Sequence, residues 1–215
     1  SVEKLGYNDH GQMHAQVVAA DALRLLHLLV KGGVGSDVVA SDAGTLEDAY
    51  VVVLAAALLH DAGNQVARKG HEAYSVVLAY PVLARHLPQI YPDPAQRQVL
   101  TGFVLSAIAS HDCDPIPATL EAAIVAVADG ADMTQGRGQV AFDRGKADIH
   151  AVSAMAIREV TIRPGEETPA HIEVAMDNPA GLFQVEKLLG RKLALSGLER
   201  YISLRACVTP GDGQD

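Results

Sequence analysis

Apolar residues recur with helical spacing along the N-terminal part of the chain. From Met13 to Val30 they fall roughly on one face, which predicts an amphipathic helix packed on a core. Residues 51–59 are apolar without a break, which predicts a helix buried on nearly every side. This run is shorter than the roughly 20 apolar residues that a membrane span needs. Thr45, followed by Asp48 three residues later, predicts a capping box at the start of this central helix.

Proline and glycine divide the rest of this part into separate elements. A third helix is predicted from about residue 70 to His86, and Pro81 is expected to kink it or to break it into two pieces. Asp93–Pro94 predicts an N-cap with proline at the first position of a fourth helix. A fifth helix is predicted over residues 118–132, followed by a glycine-rich loop over 135–145.

After about residue 150 the pattern changes to strands. Residues 156–162 and 171–176 alternate between apolar and polar side chains, as half-buried strands do, and a turn at Pro164–Gly165 joins them into a hairpin. Asn178–Pro179 opens an amphipathic helix, and residues 201–208 predict a third strand. The order is therefore β-β-α-β, which is typical of a small α/β unit.

These elements predict a mainly α fold with two regions. Residues 1–150 form a helical domain, and residues 151–215 form a small α/β subdomain that serves packing, dimerisation or ligand binding. A chain of 215 residues is long enough for one ordinary domain with such an appendage.

Composition and charge narrow the possible functions. Hydrophobic residues make up 49% of the chain, so a large core is available. The net charge of −9 argues against binding to a nucleic-acid backbone, although bound metals would still allow a small phosphorylated substrate. The distant Cys113 and Cys207 favour a reducing cytoplasm over a disulfide-bonded protein. The sequence shows no signal-peptide pattern at its start, so we expect a cytoplasmic protein without a membrane anchor.

Histidine and aspartate side chains are concentrated at the ends of the predicted helices. His60 and Asp61 end the apolar run, and burying such a pair is costly unless a partner such as a metal ion compensates it. The alternative is a helix terminus stabilised by an imidazolium group. In a helical bundle, the ends of several helices converge around one cavity. The side chains at other predicted helix ends that would join this pair are His14, His71, His111 and Asp129. Six nitrogen and oxygen donors suit two divalent ions such as Mn, Fe, Zn or Mg, and the absence of cysteine argues against a structural zinc site.

Five segments of the chain resemble the HD superfamily of metal-dependent phosphohydrolases. They are residues 7–14 (YNDHGQMH), 57–64 (ALLHDAGN), 68–72 (RKGHE), 110–112 (SHD) and 128–129 (AD). The resemblance covers roughly residues 5–150 and implies an HD-type helical bundle. By analogy, one metal is held by His14, His60, Asp61 and Asp129, and a second by His71 and His111 with Asp61 bridging. His86 competes with His71 for its role, and His10 competes with His14.

The resemblance implies hydrolysis of a small phosphate ester or nucleotide by a metal-activated water. Asp61 and His60 would be catalytic through the metal. Asp112 would orient a ligand or the water, unless it only caps a helix end. Asp132 is a candidate for supporting the ligands from one turn beyond Asp129. Three cations are candidates for binding phosphate, with ordinary surface as the alternative: Arg68, Lys69 and Arg137.

Two other classes of function remain open. Some HD-fold proteins, such as myo-inositol oxygenase, are similar in holding two irons with the same pattern of ligands, which would make this chain an oxygenase. The short interval between His60 and His71 resembles the hydrolases more closely. The third class is a non-catalytic sensor in which the C-terminal subdomain binds a ligand or forms a homodimer.

Overall fold

Within residues 11–133, six α-helices are connected by turns and short loops. The computed structural model describes residues 11–133 and 153–208. The helices are α1 (Gln12–Lys31), α2 (Asp37–Ala40), α3 (Leu46–Leu59), α4 (His71–His86), α5 (Pro94–Ala109) and α6 (Leu120–Ala131). The structure thus confirms the mainly α fold with a small α/β part, and each predicted long helix is present.

Side-chain caps begin the helices where the sequence predicted them. Thr45 accepts a hydrogen bond from the Asp48 amide, and the Asp48 carboxylate accepts one from the Thr45 amide, which completes the capping box of α3. Asp93 accepts from the Ala95 and Gln96 amides in the same way at the start of α5. Both predicted caps are confirmed.

Pro81 does not divide α4, contrary to one of the two expected outcomes. The helix is assigned without interruption from His71 to His86 with Pro81 inside it. A proline leaves the carbonyl of the fourth preceding residue, here Val77, without its helical donor. Val77 and Pro81 are both exposed, so water can take the place of that donor and the helix continues.

The C-terminal strands form one three-stranded sheet with the predicted order of elements. β1 (Ile157–Pro164) pairs antiparallel with β2 (Ala170–Met176), and β2 pairs parallel with β3 (Ile202–Val208). Alternate residues of β2 are fully buried, and they are Ala170, Ile172, Val174 and Met176. The predicted alternation of apolar and polar residues in β2 is therefore confirmed, and its apolar residues form the buried face of the strand.

A helical connection joins the two parallel strands, as parallel pairing requires. After a 3-10 turn at Pro179–Gly181, it comprises α7 (Leu182–Gln184), a π-helical turn at Val185–Gly190 and α8 (Arg191–Ser196). This connection packs against α6 of the helical part.

The hydrophobic core is continuous across both parts. Buried residues of α1 such as Leu25 belong to the same cluster as Ile157 and Ile172 of the sheet. The predicted division near residue 150 lies outside the described residues, as does the predicted loop over 135–145, so the domain division stays a prediction.

Helix α1 is long and apolar enough to cross a membrane by length and composition alone. Eight of its residues, His14 among them, are buried inside the protein. A buried core helix passes the same test, so this is weak evidence for a membrane span.

Candidate metal centre

The end of helix α3 places an imidazole and a carboxylate side by side in the interior. His60 is fully buried, and its Nδ1 donates a hydrogen bond to the Ala57 carbonyl oxygen at 2.8 Å. Nε2 therefore carries the lone pair and faces away from the helix. Asp61 follows, is 7% exposed, and accepts a hydrogen bond on Oδ1 from the Asn64 side-chain amide at 2.8 Å.

A close backbone approach brings the start of α4 to this pair. Gly63 donates its amide to the Ser75 hydroxyl at 2.8 Å, and a Cβ added at Gly63 would lie 2.0 Å from the His71 carbonyl oxygen. Only glycine fits such an approach. As a result, His71 Nε2 lies 3.0 Å from Asp61 Oδ1. The sequence around Gly63 gives no signal of this packing role.

His111, just beyond the end of α5, joins the group from a third direction. Its Nδ1 donates to the Ile108 carbonyl oxygen at 2.7 Å, the same arrangement that His60 makes with α3. Its Nε2 lies 3.1 Å from His71 Nε2 and 3.8 Å from Asp61 Oδ1. Both imidazoles thus point their second nitrogen at the same carboxylate.

Helices α1 and α6 supply the remaining two predicted residues. His14 Nε2 lies 3.2 Å from His60 Nε2 and 3.2 Å from Asp129 Oδ1. The other nitrogen of His14, Nδ1, lies 2.6 Å from Asp132 Oδ2. Asp132 therefore orients this imidazole, which is the supporting role for which the sequence made it a candidate. All six predicted residues therefore lie together, and we refer to them as the His/Asp cluster: His14, His60, Asp61, His71, His111 and Asp129.

The cluster divides into two donor groups that share Asp61. Oδ2 of Asp61 lies 3.4 Å from His14 Nε2 and 3.6 Å from His60 Nε2, whereas Oδ1 faces His71 and His111. Neighbouring ligands of an ion with bonds of about 2.1 Å lie roughly 3 Å apart. The two close Nε2 pairs, at 3.2 and 3.1 Å, have that spacing. Two lone pairs at such a distance repel one another unless a cation or a proton lies between them, so the donor set fits a metal ion.

A family model described as HD domain matches residues 32–134, which include five of the six cluster residues. The chain belongs to the HD family. It is also 42% identical, over 97% of its own length and 80% of the relative, to the uncharacterized protein MJ1020 of Methanocaldococcus jannaschii. No solved structure gave a significant match.

HD-domain proteins are generally metal-dependent hydrolases that bind divalent ions. Among the residues that the structure describes, three overlapping groups of side chains could hold a metal ion. They are His14 with His60 and Asp129, His60 with Asp61 and His111, and His71 with His111 and Asp112. The chain is therefore assigned to the metal-dependent hydrolases at the level of its family.

Burial and neighbouring charges shift the pKa values of several ionisable groups in this HD domain. Burial and the neighbouring His60 lower the pKa of His111 to about 4, which keeps its imidazole neutral and available as a ligand. Burial acts to lower the pKa of His71, but its hydrogen bond and Coulomb attraction to Asp61 raise it overall. Burial also acts to raise the pKa of Asp129, yet the Lys192 charge and hydrogen bonds from His14 and His60 hold it well below its usual range.

One predicted phosphate-binding cation lies beside the cluster. Arg68 Nη1 donates to the Asn64 side-chain oxygen at 3.2 Å and lies 3.4 Å from His71 Nε2. Lys69 is exposed and, within residues 11–133 and 153–208, has no hydrogen bond or ion pair. Arg137 lies outside the described residues, as does His10.

The remaining candidates separate by their positions on α4 and α5. His86 is exposed at the far end of α4, about 22 Å along the helix from His71 at 1.5 Å per residue, so it does not compete with His71 for a place in the cluster. The Asp112 side chain is 39% exposed, and its Oδ2 lies 4.0 Å from His71 Nε2, at the rim of the cluster.

Sequence reasoning missed Lys192 of α8, which reaches the cluster from the C-terminal part. Its ammonium group donates hydrogen bonds to Asp129 Oδ2 and, at 3.3 Å, to Asp112 Oδ1. A lysine on an amphipathic helix is ordinarily solvated, so its sequence position gave no signal.

Proposed function

We propose that the chain is a phosphohydrolase that cleaves a small phosphate ester or a nucleotide with a water molecule activated by two divalent ions. The observation that supports this proposal best is the position of Asp61. Its two oxygens face two separate groups of imidazole nitrogens, with His14 and His60 on one side and His71 and His111 on the other. Such an arrangement suits a carboxylate that bridges two ions.

The donor set favours borderline divalent ions. Four imidazole nitrogens with two carboxylates suit Mn, Fe or Zn better than an ion that prefers only oxygen, although Mg is compatible with part of the set. Such ions, when bound, would lower the pKa of a water ligand and offset negative charge on a phosphoryl group. The Nδ1 hydrogen bonds of His60, His111 and His14 hold each Nε2 toward the centre before any ion binds.

The rim of the cluster supplies groups for a phosphorylated substrate. The Arg68 guanidinium lies 3.4 Å from His71 Nε2, where it can pair with the oxygens of a phosphate group. Burial acts to raise the pKa of Asp112, which is half-exposed at the rim, but the neighbouring Lys192 charge holds this pKa below its usual range. Its carboxylate can therefore accept a hydrogen bond from a water molecule or a substrate hydroxyl near neutral pH.

The net charge of the chain limits the class of substrate. A net charge of −9 disfavours a long polyanion, so a small phosphorylated metabolite or nucleotide fits better than a nucleic-acid backbone. We keep a soluble cytoplasmic location and a possible homodimer as parts of the proposal.

Metal analysis of the purified protein tests the proposal directly. We expect about two divalent ions per chain and Mn-stimulated hydrolysis on a panel of phosphate esters and nucleotides. Asp61→Ala should lose both ions because both donor groups use this carboxylate, whereas Asp129→Ala should retain the ion held by His71 and His111. Glu47→Ala, an exposed carboxylate in the first turn of α3, is the matched control.

Three results would contradict the proposal. Wild-type protein without bound divalent metal, or Asp61→Ala with unchanged metal content, would remove the metal centre. Iron-dependent oxygen consumption without phosphate release would instead assign the same cluster to the oxygenase class.

A further inference from the structure

Helix α8 places a buried cation against the edge of the His/Asp cluster. Lys192 is 5% exposed, and its ammonium group donates to one oxygen each of Asp129 and Asp112. A lysine is almost never buried to this extent unless it is paired. Burial acts to lower its pKa, but the two carboxylates raise it overall, so the side chain is charged.

Both carboxylates direct their other oxygen toward the histidines. Asp129 accepts a hydrogen bond from Lys192 on Oδ2, and its Oδ1 lies 3.2 Å from His14 Nε2. Asp112 gives Oδ1 to Lys192, and its Oδ2 lies 4.0 Å from His71 Nε2. One ammonium group thus contacts a carboxylate beside each of the two donor groups.

A glycine in α6 makes this approach possible. A Cβ added at Gly130 would lie 3.0 Å from Lys192 Cδ in α8 and 3.5 Å from the Leu189 Cα in the preceding π-helical turn, so the helical connection packs closely on the α6 backbone. Glycine inside a helix costs about 1 kcal/mol relative to alanine. At this position it leaves room for the methylene stem of Lys192 beside Asp129.

We propose that Lys192 is a positioning residue of the metal centre, which fixes the orientation of Asp129 and Asp112 so that each presents one oxygen to the histidines. The inference rests on the proposed function, because it assumes that the His/Asp cluster binds metal. It makes the C-terminal part a contributor to the centre and not only a packing or dimerisation unit.

The test is a calorimetric titration of full-length, metal-stripped protein with Mn²⁺. Lys192→Met removes both the charge and the hydrogen bonds, and we expect it to weaken Mn²⁺ binding about tenfold or more, as the loss of a ligand-orienting partner does. Lys192→Gln retains one amide donor and should fall between Lys192→Met and the wild type. Lys187→Met, at an exposed position of the same helical connection, should bind like the wild type.

The outcomes separate this inference from the proposed function. Unchanged Mn²⁺ affinity in Lys192→Met and Lys192→Gln would overturn the positioning role alone. Tighter binding in both would also overturn it, since Lys192 would then only compete with the ion for the charge of Asp129. Wild-type protein that binds neither Mn²⁺ nor Zn²⁺ would overturn the proposed function as well. Thermal unfolding checks that each variant folds, and if Lys192→Met does not fold, Lys192→Gln decides the result.

Discussion

Replacing Gly63 by alanine should separate the two halves of the His/Asp cluster. The added Cβ would lie 2.0 Å from the His71 carbonyl oxygen and 2.5 Å from the Ser75 amide nitrogen. Both neighbours are backbone atoms, so no rotamer change relieves the contact. Since ordinary contacts begin near 3.4 Å, the start of α4 has to move by about 1.4 Å.

This displacement has a cost in stability and in metal binding. Overpacking of this kind costs about 3 kcal/mol, which corresponds to a decrease in Tm of about 6–12 °C for a chain of this size. His71 moves with the start of α4, and its Nε2 leaves the positions 3.0 Å from Asp61 Oδ1 and 3.1 Å from His111 Nε2. We therefore expect the ion bound by His71 and His111 to be lost first.

Urea denaturation in EDTA measures the free energy of unfolding, and metal analysis measures the number of ions retained. Gly102→Ala is the matched control, because Gly102 lies exposed inside α5 with no atom within 4 Å of an added Cβ. That substitution should stabilise the protein by about 0.5–1 kcal/mol through helix propensity. If Gly63→Ala unfolds within about 0.5 kcal/mol of the wild type and retains all its metal, the packing argument is wrong.

Two further predictions concern proton and phosphate binding. The pKa of His111 is depressed to about 4 in the folded protein, whereas an unfolded histidine titrates near 6.5. The contribution of neutral, buried His111 to the free energy of unfolding is therefore complete above pH 6.5. It decreases by about 3 kcal/mol as the pH falls to 4, because His111 of the unfolded chain takes up a proton at a higher pH than His111 of the folded protein. Urea denaturation of metal-free protein should show a shallower pH dependence in His111→Gln, and equal slopes would contradict this. Arg68→Ala should raise KM for a phosphate ester about tenfold, the loss of roughly 1.4 kcal/mol, with a smaller change in kcat. Steady-state kinetics checks this, and an equal effect of Lys69→Ala would show that general surface charge is responsible.

The sequence predicted those parts of the structure that depend on local signals. The capping box of Thr45 and Asp48 and the alternating pattern of β2 depend on neighbours a few residues away, so each could be recognised in isolation. The cluster residues could be found because each lies at or near a helix end, and helix ends converge in a bundle.

Features that depend on docking between distant elements could not be predicted. Lys192 contacts Asp129 across 63 positions of sequence, and nothing near Lys192 distinguishes it from a surface lysine. The role of Gly63 could not be predicted either, because its close contact with α4 exists only when that helix is in place. The continuity of α4 at Pro81 also depended on solvent exposure, which proline alone does not determine.

The position of His14 has a practical consequence for work on this protein. His14 lies on α1, before residue 32 where the family match begins, and Lys192 lies well beyond residue 134 where it ends. A fragment trimmed to the matched segment would therefore lack the His14 imidazole. It would also lack the Lys192 ammonium group that pairs with Asp129 and Asp112. Under the proposed function, we expect such a fragment to be inactive because it lacks these two side chains, so the test of activity requires the full chain.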